Sequence, residues 1–100
     1  MPVAEISIVP LGTGTTSLSD FVAQAVKVIE KSGLKFELTA MGTNVEGTLE
    51  EILSLVKEIH QNALNLGAKR LLTTLKIDDR TDKPLTLKGK VEAVKKKILE

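Results

Sequence analysis

Apolar residues recur along this chain at two spacings, and each change of spacing marks a change of element. Over residues 3 to 10, Ile6 and Ile8 share one face against Glu5, Ser7 and Val9, the period of two of a strand. Residues 11 to 16 read as a Gly/Thr turn, after which Ser17 or Ser19 can cap a helix. That helix carries Leu18, Phe21, Val22, Ala25, Val28 and Ile29 at helical spacing, and Gly33 ends it. Alternation returns over residues 34 to 41, with Phe36, Leu38 and Ala40 directed inward. The segment 42 to 47 predicts a hairpin and a short third strand. Thr48-Leu49-Glu50-Glu51 is a capping box, opening a helix with Leu49, Ile52, Leu53, Val56, Ile59, Ala63 and Leu64 on its apolar stripe and a stop at Gly67. A fourth strand over residues 70 to 78 sets Leu71, Thr73, Leu75 and Ile77 against Leu72, Thr74, Lys76 and Asp78. A polar turn then leads to a last helix with the stripe Leu87, Val91, Val94 and Ile98.

The order strand-helix-strand-strand-helix-strand-helix predicts an α+β, ferredoxin-like βαββαβ sandwich with an added C-terminal helix. Two helices cover one face of a four-stranded antiparallel sheet. The other face starts open, with Leu72, Val9 and several threonines on it. A small sandwich with half its sheet uncovered is expected to complete itself as a homodimer or homotetramer through that sheet.

Composition narrows the function classes. The 100 residues make one domain, residues 1 to 100, without internal repeats or linkers. Apolar stretches are too short to span a bilayer, and the start Met1-Pro2-Val3-Ala4-Glu5 lacks the features of a signal peptide, so a cytoplasmic protein is expected with no membrane partner. Cysteine is absent. A net charge of +1 and only two aromatic residues, Phe21 and Phe36, disfavour nucleic acid as a partner.

Candidate chemistry concentrates in Met41-Gly42-Thr43-Asn44-Val45-Glu46-Gly47-Thr48, where two glycines bracket a hydroxyl, an amide and a carboxylate. Ordinary turn chemistry explains the glycines and Asn44 almost as well. Glu46 is equally suited to a ligand or to an ion pair across an interface. The glycine-rich turn over residues 10 to 17 lacks the lysine of a P-loop and the third glycine of a dinucleotide fingerprint, so a tight connection is the better reading. His60, the single histidine, is expected half-buried and hydrogen-bonded at the edge of its helix stripe. Asp78, Asp79 and Asp82 around Arg80 lack the spacing of a calcium loop and read as a salt-bridged turn or a subunit contact. The Lys95-Lys96-Lys97 run reads as a solvated helix end. No nucleophile and base pair or elbow motif is visible, so no enzyme activity, catalytic residue, metal or cofactor is expected.

Several segments taken together resemble the small thiamine-binding protein family. They are Ser7-Ile8-Val9-Pro10-Leu11-Gly12-Thr13, Lys31-Ser32-Gly33-Leu34, Met41-Gly42-Thr43, Glu46-Gly47, His60, Gly67-Ala68-Lys69-Arg70 and Ile77-Asp78-Asp79-Arg80, covering residues 6 to 97. The resemblance implies a ferredoxin-like subunit assembled into dimers and tetramers, and non-catalytic binding of thiamine or its hydroxymethylpyrimidine part. It carries Ser7, Thr43 and Glu46 over as ligand partners, with Asn44 and Thr16 beside them. A carboxylate and hydroxyls suit the exocyclic amine and ring nitrogens of an aminopyrimidine. The rival expectation is an oligomeric interaction or regulatory module with no small-molecule ligand.

Overall fold

The long strand β1 (Val3–Leu11) is the spine of the sheet, with a neighbour on each side. The computed structural model describes residues 1 to 15 and 18 to 100. Along the chain β1 is followed by α1 (Ser19–Ser32), β2 (Lys35–Leu38), β3 (Thr43–Glu46), α2 (Leu49–Asn65), β4 (Arg70–Asp78) and α3 (Leu87–Ile98). This is the predicted order. The strands form one four-stranded antiparallel sheet in the order β2-β3-β1-β4, with α1 and α2 on one face.

Register explains which residues enter the core. Ala4 pairs with Val45, and Ile6 with Thr43 and Leu75, so these side chains point to the same side of the pleat. That side meets Ala25 and Ile29 of α1 and Ile52, Leu55, Ile59 and Ala63 of α2. Val45 and Ile52 are fully buried. The helix ends follow local chemistry. Thr48 Oγ1 accepts from the Glu51 N–H at 3.1 Å while Glu51 Oε1 accepts from the Thr48 N–H at 2.8 Å, completing the expected capping box. Gly33 closes α1 at φ +75°, a left-handed conformation open to glycine.

Three local expectations are corrected. Ser19 is the first helical residue of α1 rather than its cap; the N-cap is Leu18, with no side-chain cap bond, and Ser17 lies outside the described residues. The second strand is only Lys35–Leu38, so Ala40 is outside it and Leu38 is 60% exposed instead of inward-packed. On α2, Leu49, Leu53 and Leu64 are exposed and Leu55 is buried. At about 100° per residue, Leu53 and Leu64 fall a quarter-turn or more from the Ile52–Ile59 line, whereas Leu55 stays near it.

The helix α3 starts on the open face and leaves it. Thr86 caps it by accepting from the Gly89 N–H at 2.9 Å, Lys90 pairs with Asp78, and Leu87 is its one buried residue. Val91, Val94 and Ile98 are increasingly exposed along the helix. The radius of gyration of 15.0 Å accordingly exceeds the ~13 Å usual for this length. Among the described residues no helix is long and apolar enough to cross a membrane.

Ile59→Ala is expected to cost about 2–5 kcal/mol by leaving a cavity, and Leu53→Ala less than about 1 kcal/mol. Urea unfolding of the two variants checks this; equal losses would contradict the assigned core face.

Candidate functional site

Unequal strand lengths create a cleft on the helix-covered face of the sheet. β1 pairs with β4 along its whole length but with β3 only from Val3 to Ile6. Beyond Ile6 the chain preceding β3 turns away instead of extending the ladder. Thr39 shapes that turn, since its N–H and Oγ1 both donate to the Gly42 carbonyl, at 2.9 and 2.8 Å. Gly42 lets the turn approach β1 closely: a Cβ there would lie 3.1 Å from both the Ile6 carbonyl oxygen and Glu5 Cγ. The result is a cleft of about 360 Å³ between the edge of β1, the start of α1 and the turn. Ile6 and Ile8 form its floor, Leu18 and Val22 one wall, and Leu38, Met41 and Thr43 the other.

The chemistry of this cleft is neutral. Every described residue lining it is uncharged, and most are aliphatic. The Thr43 side chain is buried at its edge, and Thr39 stands at the rim. Such a lining favours a flat neutral ring with a few hydrogen-bonding groups, because an unpaired charge there would lose its hydration without compensation.

The opposite face of the sheet is polar at one end. Lys76, Glu5, Asn44 and Glu37 form a continuous cross-strand row over β4, β1, β3 and β2, and Lys76 lies 3.8 Å from Glu5. With Asp78, Lys90, Leu87 and Val91 they line a second cleft of about 350 Å³ beneath the first turns of α3. Glu46, also on this face, accepts a hydrogen bond from the Leu87 N–H, placing its carboxylate at the N-terminus of α3. The helix dipole favours an anion there.

The four described residues expected at the ligand therefore do not converge. Thr43 lines the neutral cleft and Asn44 the polar one, as adjacent residues of a strand must face opposite ways. Ser7 belongs to the stretch of β1 bordering the neutral cleft, but the register puts its side chain beside Thr74 on the open face. Glu46 is held at α3, and Thr16 lies outside the described residues. The aliphatic walls and the exposed edge of β1 were missed; the signal for them was a long first strand facing a short third strand that begins right after a glycine.

Two other expectations hold. His60 is half-buried, its Nδ1 lying 2.7 Å from Thr73 Oγ1 across the α2–β4 contact. Arg80 forms a two-pronged pair with Asp82, the Nε bond being 2.7 Å. This pairing holds the Asp82 carboxyl below, and the Arg80 guanidinium above, their ordinary pKa values. The depressed Asp82 value favours the folded turn at neutral pH, a contribution lost as pH falls through the carboxylate range. Both groups are exposed, so this is a local effect. Among the described residues no three His, Cys, Asp or Glu side chains cluster as a metal site.

Glu46→Gln is expected to loosen the first turn of α3, because a neutral amide replaces a charge-assisted acceptor. Hydrogen exchange at the Leu87 amide should accelerate about tenfold. An unchanged rate would contradict the anchoring role.

Comparison with known proteins agrees with this architecture. A UPF0045 protein of Methanothermobacter thermautotrophicus is 46% identical over 98% of this chain and all of its own length. A second, from Bacillus subtilis, is 37% identical over 98% of each chain. Among solved structures, a hypothetical protein of Methanocaldococcus jannaschii superposes with a TM-score of 0.87 at 47% identity, covering 93% of this chain and 94% of that one. A Thermotoga maritima protein proposed to act in thiamine biosynthesis or salvage gives 0.81 at 30% identity, over 93% and 97% of the two chains. The family model described as thiamine-binding protein matches residues 4 to 95, and the chain belongs to that family.

Proposed function

We propose that this protein binds the aminopyrimidine part of thiamine, free or within the vitamin, without transforming it, and serves supply, buffering or delivery. The observation that carries this reading is the neutral, largely aliphatic cleft beside Thr43. Its volume suits one small ring, at the lower end of the range of small-molecule sites. The Thr43 hydroxyl supplies a hydrogen-bonding group to the ring substituents, and Thr39, whose hydroxyl hydrogen is held by the Gly42 carbonyl, an acceptor at the rim. The cationic thiazolium ring, when present, stays toward solvent because no described lining residue offers it a counter-charge. In this reading Asn44 and Glu46 act on the other face, Glu46 by holding α3, and Ser7, opposite Thr74, adds no hydrogen-bonding group to the ring.

Self-association is a second element of the proposal. The open face grades from the charged rows under α3, through Ser7 and Thr74, to Val9 and Leu72. Leu72 is 58% exposed and Leu11, further along, is 38% exposed. A second copy covering this end with its own would form a dimer through the sheet, and pairs of dimers a tetramer. The alternative, an interaction module without a ligand, draws on the same patch.

Isothermal titration with thiamine, thiamine phosphates and hydroxymethylpyrimidine tests the reading. Saturable binding near one site per subunit is expected, with hydroxymethylpyrimidine among the compounds bound. Thr43→Val, which keeps the side-chain shape, should weaken that binding about tenfold. An absence of heat from every compound with well-folded protein would reject the binding function and favour the interaction module.

A further inference from the structure

Main-chain direction at the neutral cleft follows from one hydrogen bond at the far end of the strand. The Gly47 N–H donates to the Pro2 carbonyl, across the gap between β1 and β3. Main-chain groups of a strand alternate sides with each residue, so those of Ala4, Ile6 and Ile8 point toward β3 as that of Pro2 does. Ala4 and Ile6 meet Val45 and Thr43 there. Ile8 meets none of the described residues on that side, because the ladder ends at Thr43 and its N–H and C=O emerge into the cleft.

This exposed edge is one residue long. The next residue pointing the same way is Pro10, which has no N–H to donate. A proline at that position, with the turn through Thr39 and Gly42 alongside, blocks addition of another strand. Pro10 keeps a carbonyl but does not line the cleft, so what remains there is the single donor and single acceptor of Ile8, side by side and parallel, above an aliphatic floor. Their complement is a planar group with an acceptor and a donor on neighbouring atoms. A 4-aminopyrimidine presents that pair: its ring N3 accepts and its exocyclic amine donates.

We propose that Ile8 is the specificity element of this site, its N–H donating to the ring nitrogen and its C=O accepting from the exocyclic amine of a 4-aminopyrimidine. The inference rests on the binding function proposed above and names the group that reads the ring. It also accounts for recognition of an amine in a cleft whose described lining has no carboxylate. A 4-oxopyrimidine presents the reverse pattern, an N–H facing the Ile8 N–H and a carbonyl facing the Ile8 C=O. Both polar groups of the protein would then be buried against like groups, which rejects the oxo compound by means of repulsion as well as lost bonding.

The test compares 4-amino-5-hydroxymethyl-2-methylpyrimidine with its 4-oxo counterpart by titration calorimetry, and follows hydrogen exchange at the Ile8 amide in the same samples. The amino compound should bind at least about 100-fold more tightly, as expected for two mispaired buried groups. At saturation it should slow Ile8 exchange about tenfold or more, with the oxo compound at equal concentration leaving the rate unchanged. Similar affinities for the two compounds, or amino-compound binding with no change at Ile8, would overturn the role of Ile8 and leave the binding function standing. Binding of neither compound would overturn both.

Discussion

The structure depends on a mismatch in strand length. A nine-residue central strand is held along its full length by β4, but only part of it is matched by the four residues of β3. Buried main-chain groups of a sheet are normally paired. Ending β3 early therefore requires either water or a ligand at the free edge. The turn through Gly42 and the apolar start of α1 shelter that edge without closing it. A ferredoxin-like sandwich thus acquires a sheltered cleft by shortening one strand.

Charge is distributed so that the two faces of the sheet do different work. The neutral cleft lies on the helix-covered face, while acidic and basic side chains form cross-strand rows on the other. Opposite charges directly across strands add a little stability each and mainly keep that end of the face hydrated. The start of α3 is pinned there by Glu46 and by the Lys90–Asp78 pair, and the later turns of the helix run clear of the sheet. Its exposed stripe and the Leu72 end of the open face are two separate apolar surfaces on one small chain. Both are of the kind that self-association covers.

Element order, the capping box at Thr48, the stop at Gly33 and the half-buried His60 were legible in the sequence, because each is decided by neighbours within a few residues or by a strong periodic pattern. The candidate site was only partly legible. Thr43, Asn44 and Glu46 fall within four consecutive residues, and that closeness suggested one site; the pleat of β3 sends them to opposite faces. Glu46 meets Leu87, 41 residues further along, a contact no local pattern encodes. The cleft itself is made largely of main chain and aliphatic wall, which leave no chemical signature in a list of residue types. Leu53 and Leu38 show the same limit on the packing side: apolar identity was clear, but helix phase and strand length set their exposure.

The proposed binding function places the ligand in the neutral cleft, not in the polar one beneath α3. Two-dimensional NMR of labelled protein titrated with hydroxymethylpyrimidine distinguishes them directly. With the ligand in the neutral cleft, shift changes are expected to gather at Ile6 to Val9, Val22, and Leu38 to Thr43. Changes gathered instead at Glu5, Glu37, Lys76 and Lys90 would place the ligand on the opposite face and contradict the proposal.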